Sequence, residues 1–126
     1  MAKSVPTIAV TSTLAMVRMA EARGAAAEQV LRALGVERDV LEVPDARLPA
    51  TTVLAVWNAL RERTGDPALQ LHAPSILPFG AYRVIDYLVA ASPTLGEGVR
   101  QFARFFGLIA EGVALTIERH GDGFAL

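Results

Sequence analysis

Ala50–His72 reads ATTVLAVWNALRERTGDPALQLH, and this stretch decides the fold class. Val53, Val56, Trp57, Leu60 and Thr64 recur at three- and four-residue spacings, which puts them on one face of a helix. Gly65 follows, where a glycine can take the left-handed backbone angles that close a helix. Asp66 then offers a capping carboxylate, and Pro67 suits a first turn whose amides need no helical partner. One helix ends and another begins. The second is short, because Pro74 and Pro78 break the chain beyond Leu69 and Leu71.

Towards the amino terminus the same form repeats. Ile8–Arg23 carries Val10, Leu14, Met16 and Val17 before Gly24, and Ala25–Leu34 carries Val30, Leu31 and Leu34 before Gly35. Both glycines read as helix ends. Met1–Pro6 reads as a loose arm. VERDVLEVPDARLP, residues 36–49, is interrupted by Pro44 and Pro49 and has room for one helical turn around Arg38–Leu41.

Towards the carboxy terminus, Gly80–Ala91 is expected to be a helix with Ala81, Val84, Ile85 and Leu88 as its apolar stripe. Thr94-Leu95-Gly96-Glu97 matches a capping box, opening a helix with Leu95, Val99, Phe102, Phe105 and Phe106. The period then changes from helical to alternating: Val113, Leu115 and Ile117 against Ala114, Thr116 and Glu118 read as a strand. His120–Gly123 reads as a turn, and Phe124–Leu126 begins a returning strand. The expected architecture is α+β and mainly helical, with about six helices followed by an incomplete antiparallel β-hairpin. Val53, Trp57, Leu60, Ile85, Leu88, Val99, Phe102 and Phe106 are expected among the most buried residues.

Composition narrows the function. The chain is 52% hydrophobic and 20% charged, which argues for a folded domain. Its formal net charge of -1 gives no general attraction to nucleic acid. With no cysteine, disulfides, thiol catalysis and thiolate metal sites are excluded. No signal peptide and no membrane-length apolar run is present, so the expected location is cytoplasmic, without membrane contact.

Catalytic chemistry finds little support. His72 and His120 are the only histidines, and their surroundings lack the gathered ligands a metal needs. His120 reads as a solvated turn residue and His72 as a helix-end residue hydrogen-bonded locally. Ser75 and Ser92 stand in loops with no nucleophile-elbow pattern. The carboxylates are scattered singly, and Gly121-Asp122-Gly123 lacks the following helix of a phosphate loop. No cofactor, metal or enzymatic activity is expected. What remains is a concentration of Phe79, Tyr82, Tyr87, Phe102, Phe105 and Phe106 late in the chain. These are either core aromatics at helical spacing or the walls of a small-molecule cavity.

A set of segments in order favours the second. RLPATTVLAVWNAL, TGDPALQLH and PFGAYRVIDYLVAASPTLGEGVRQFARF, then a hairpin, resemble the amino-terminal arabinose-binding-type, effector-sensing domain of AraC/XylS-family transcription regulators. The likeness runs from about Gly24 to Leu126, with Thr64–Leu71, Phe79–Gly80 and Ser92–Val99 as its motifs. Gln70 departs from the usual glycine and Gly98 from the usual alanine. The resemblance implies a non-enzymatic regulatory domain that binds a small effector and can dimerise. It also implies that residues 1–126 form the first part of that domain, with DNA bound through a carboxy-terminal helix-turn-helix domain absent from this chain. A pocket is expected between the Phe79–Ala91 helix, the Leu95–Phe106 helix and the sheet, with Phe79, Tyr82, Phe102, Phe105 and Phe106 as walls. Arg83 or Arg104 would meet an anionic group. The incomplete hairpin is expected to self-associate through Gly112–Arg119. The alternatives are a protein-interaction module with no small-molecule ligand and a small hydrolase dependent on His72.

Overall fold

The helix anticipated from Val53, Val56, Trp57 and Leu60 spans Ala50–Thr64 and closes on Gly65 at φ 69°. Its setting comes from a computed structural model that describes residues 5–125. In chain order the elements are β1 (Thr7–Ala9), α1 (Val10–Ala22), α2 (Ala27–Ala33), α3 (Arg38–Leu41), β2 (Arg47–Pro49), α4 (Ala50–Thr64), α5 (Leu69–His72), α6 (Val84–Ala90), α7 (Leu95–Phe105), β3 (Glu118–His120) and β4 (Gly123–Ala125). Single 3₁₀ turns follow α5 and α7. The chain is α+β and mainly helical. It forms two compact units, Met1–Pro78 and Phe79–Leu126.

In the first unit, glycine punctuation acts as the sequence implied. Gly24 and Gly35 sit at φ 82° and 70°. Beyond α1, the amides of Ala25 and Gly24 donate to the carbonyls of Ala20 (3.0 Å) and Glu21 (2.9 Å). Beyond α2, those of Val36 and Gly35 donate to Leu31 (2.9 Å) and Arg32 (3.2 Å). Each pair satisfies two carbonyls that the helix leaves open. Asp66, expected to cap the next helix, instead accepts the Ala68 amide on its Oδ1 at 2.9 Å in the turn before α5, whose own N-cap, Ala68, has no side-chain bond.

Strands β1 and β2 correct the sequence reading, which ran the helix from Ile8 and left Arg47–Pro49 in a connection. They pair antiparallel as Thr7↔Pro49, Ile8↔Leu48 and Ala9↔Arg47. Arg47 Nε donates to Thr7 Oγ1 at 2.7 Å and its Nη2 to the Thr7 carbonyl at 3.0 Å. Three residues are too few to display a period of two, so neither strand announces itself. Of the expected loose arm, residues 1–4 lie outside the described residues, while the Pro6 carbonyl accepts the Ala50 amide at 2.9 Å.

The core of this unit gathers Met16, Val17 and Ala20 of α1, Leu31 of α2, Leu41 of α3, Val56 and Leu60 of α4, and Leu69 of α5. Trp57 lies partly exposed at its edge, with Nε1–H donating to the hydroxyl of the fully buried Thr13 at 3.2 Å. At the rim, Arg38 of α3 grips the Glu21 carboxylate of α1 with two nitrogens and reaches Glu28 of α2 at 3.4 Å. That hydrogen bond holds the Glu21 carboxyl below its ordinary range, against a smaller opposing effect of burial, and raises the Arg38 guanidinium.

In the second unit, α6 and α7 pack against each other. Thr94 Oγ1 caps α7, accepting the Glu97 amide at 3.1 Å, while the Glu97 carboxylate takes Arg100 at 3.2 Å. Gly98 is buried, and a Cβ there would lie 3.3 Å from both Cγ1 and the carbonyl oxygen of Val89. Close approach of α7 to the end of α6 is the physical reason for a glycine inside this helix.

Three further expectations need correction. The helix placed at Gly80–Ala91 begins only at Val84. The alternating run Val113–Ile117 is not a strand; β3 is Glu118–His120, pairing with β4 as Glu118↔Ala125, Arg119↔Phe124 and His120↔Gly123. A two-residue turn at Gly121–Asp122 fixes that register, so alternation upstream finds no ladder partner among the described residues. Leu126 lies outside them. Finally, Val53, Leu60 and Ile85 are buried as expected, but Trp57, Leu88, Val99, Phe102 and Phe106 are only partly so.

Candidate functional site

The segment between Pro78 and α6 is organised by one carboxylate. Asp86, in the first turn of α6, accepts the amides of Gly80 (2.8 Å) and Tyr82 (3.1 Å) on the same Oδ2. The Arg83 amide donates to the Gly80 carbonyl at 2.9 Å and the Ile85 amide to the Tyr82 carbonyl at 3.3 Å. Two overlapping turns therefore replace the expected first helical turn. Gly80 takes φ 92° without penalty. Arg83 does not: at φ 60°, ψ -131° it fills the second position of a type II′ turn, where glycine is the usual residue. A non-glycine residue held so costs about 1–3 kcal/mol and persists only when its surroundings over-determine it. The Asp86 bonds supply that constraint.

The turn exposes aromatic surface. Phe79 meets Tyr87 of α6 edge to face, with ring centres 5.0 Å apart at 80°. Tyr87 lies across Gly80 so closely that a Cβ there would sit 3.2 Å from its hydroxyl. Phe79 is nonetheless 66% exposed and Tyr87 59%. On α7 and just beyond, Phe102 and Phe106 tilt together at 5.5 Å, and the Arg104 guanidinium lies 5.2 Å from the Phe105 ring centre.

The sequence-expected residues thus fall into local groups within this unit. Arg83 and the partly buried Tyr82 share the turn with Phe79; Phe102 with Phe106, and Arg104 with Phe105, form the second group. Tyr87 and Asp86 complete the first group and were absent from the expected site. An acid in the first turn of a helix, six residues after an FG pair, was the signal available for Asp86.

His72 has a structural role. Its Nδ1 lies 2.8 Å from Asp66 Oδ2 and 3.1 Å from Arg23, which also donates to Asp66. An Nδ1–H donated to Asp66 is the tautomer this geometry favours. The Ser75 hydroxyl donates to the His72 carbonyl at 2.7 Å rather than to its ring. That leaves Ser75 and His72 without a nucleophile–base pairing, and among the described residues no His, Cys, Asp and Glu cluster could hold a metal. An open surface depression in the first unit, lined by Asn58, Arg61, Glu62, Gly65 and Pro67, contains none of the expected site residues.

Compared with known families, the model for the arabinose-binding domain of AraC transcription regulators, N-terminal, matches residues 24–126. No curated protein and no solved structure matches the chain.

Proposed function

The chain belongs to the family of N-terminal arabinose-binding domains of AraC transcription regulators, and we propose that it binds its small effector with the aromatic and arginine residues of 79–106. The family is a regulatory, ligand-sensing one and not an enzyme family. The family match over the segment carrying Phe79, Tyr82, Arg83, Phe102, Arg104, Phe105 and Phe106 carries this reading. The strained turn at Arg83 and the exposed Phe79–Tyr87 pair support it, because strain and exposed aromatic surface both concentrate where proteins bind. Effector binding shifts the population between two arrangements of the regulator, whose helix-turn-helix domain, outside these residues, contacts DNA in the cytoplasm. No described helix is long and apolar enough to cross a membrane.

A thermal-shift screen of the regulator against sugars, amino acids and fatty acids tests this directly, since a ligand that binds only the folded state raises its stability. A hit whose effect is lost in Tyr82→Ala or Phe105→Ala is the expected result. An effector response unchanged in both variants rules out the placement.

A second reading has its own observation. Phe79, Val84, Tyr87, Leu95, Leu108 and Val113 are all more than half exposed, which suits a protein-interaction module with no small ligand. Absence of any thermal shift, together with capture of a second chain, would favour it.

A further inference from the structure

Apart from the ligand site, we propose that two copies of this chain pair antiparallel along Val113–Ile117, with Leu115 opposite itself, joining their hairpins into one sheet. Gly112–Ile117 runs directly into β3 and makes no hydrogen bond among the described residues. Leu115 and Ile117 are half-buried, and Val113 is 52% exposed. The hairpin decides which edge is open. A two-residue turn lets the residues that flank it, here His120 and Gly123, bond each other. Backbone groups point alternately to the two edges of a strand. Those of Glu118 and His120 therefore face β4, and the same alternation turns those of Val113, Leu115, Ile117 and Arg119 away from it. An open edge of this kind recruits another strand. A lone two-stranded hairpin is marginal in water, whereas two hairpins joined at that edge make four strands.

The residue order says what covers the edge. About a two-fold axis, antiparallel pairing sets one residue opposite its own copy. Centring on Leu115 places Val113 opposite the partner's Ile117, so all three apolar side chains meet apolar ones on one face. The same register sets Gly112 opposite Glu118 and Glu111 opposite Arg119, so no like charges face each other. Glu111 has an interaction within its own chain, and the pairing draws no strength from it. Centring on Ala114 sets Ile117 opposite Glu111, and centring on Thr116 sets Val113 opposite Arg119. The segment is thus complementary to itself in one register, and a second copy is the partner that offers this pattern.

Sedimentation of the full chain should show a dimer at roughly 10–100 μM. Val113→Lys, at a position more than half exposed in the single chain, should weaken it on the order of tenfold, because two apolar cross-strand pairs are lost. The chain has no cysteine, so cysteines introduced singly read the register under mild oxidation. Leu115→Cys should cross-link to its own copy, since opposed Cα atoms about 5.5 Å apart suit a disulfide. Thr116→Cys should cross-link far more slowly, because its two copies lie about 7–8 Å apart on the diagonal. Val113→Cys and Ile117→Cys should each stay free alone and join when mixed. A monomer throughout that range overturns the pairing and leaves the edge to another chain. So does a dimer that Val113→Lys leaves unchanged. Ala114→Cys or Thr116→Cys linking faster than Leu115→Cys overturns the register.

Discussion

At Arg83 a single backbone conformation carries a cost in stability. Because L-residues crowd their own carbonyl there, Arg83→Gly is expected to be more stable than Arg83→Ala by about 1–2 kcal/mol in urea unfolding, though both remove the same charge. Equal stability would show that the turn is not strained. Asp66 presents the opposite case, a side chain whose value lies in what it ties together. It accepts the Ala68 amide in the turn before α5 and receives Arg23 and His72. Asp66→Ala is therefore expected to destabilise by about 1–2 kcal/mol, because it leaves a turn amide and two cationic partners unpaired, while His72→Ala leaves effector response unchanged. Residue roles of this kind were partly legible in the sequence. Thr94 with Glu97 announced the cap of α7, whereas Asp66 before Pro67 suggested a cap and holds a turn instead. Nothing in the order of residues told that Arg83 would stand in a glycine-like turn, because that depends on Asp86 bonding backward to Gly80 and Tyr82.

At the scale of elements, helix ends were readable and short strands were not. Glycines after α1, α2 and α4 mark their ends because only the left-handed conformation there satisfies the last carbonyls. Strands β1 and β2 are invisible because their three-residue ladder is set by the packing of distant segments, and Val113–Ile117 shows that alternation without a partner makes no strand. Two measurements address the packing itself. Leu60→Ala, at a fully buried position of α4, is expected to cost about 2–5 kcal/mol. Gly98→Leu, which pushes carbon into the Val89 backbone, is expected to cost about 1–3 kcal/mol by overpacking; an unchanged denaturation midpoint would mean that α6 and α7 do not meet there. The Arg38–Glu21 clamp between α3 and α1 makes a pH prediction. The folded-state pKa of Glu21 lies below its ordinary 4.5, so its contribution is complete above that value and disappears as pH falls through the lowered one. Glu21→Gln should therefore destabilise at neutral pH and lose less stability than the parent between about pH 5 and pH 3. Because the pair is partly exposed, the difference is expected to be small.

At the scale of the whole chain, the two units differ in how well they bury apolar surface. The first holds a continuous core from α1 to α5 despite exposing Leu54 and Leu71, whereas the second has few fully buried residues and exposes the aromatics Phe79 and Tyr87. The family was legible because its caps and helix starts recur in order. The candidate site was legible only as a list of aromatics and arginines, since their grouping follows from the Asp86 turn and the α7 spacing. Pairing between copies falls within Gly112–Arg119, where an apolar alternating run adjoins the short β3–β4 ladder. Sedimentation should then show a dimer at tens of micromolar, a rough range for weak association, that reverts to monomer in Leu115→Lys. A monomer at that concentration contradicts it. The central claim is that this regulatory domain senses its ligand with residues 79–106. Its most direct test is an amide-resolved NMR titration of the full chain with octanoate, phenylacetate and L-arabinose. The account predicts that at least one of them moves the amides of Gly80, Tyr82, Arg83, Phe102 and Phe105. Shifts confined to Asn58, Arg61, Glu62 and Gly65 around the open depression, or no shifts with any of the three, would contradict it.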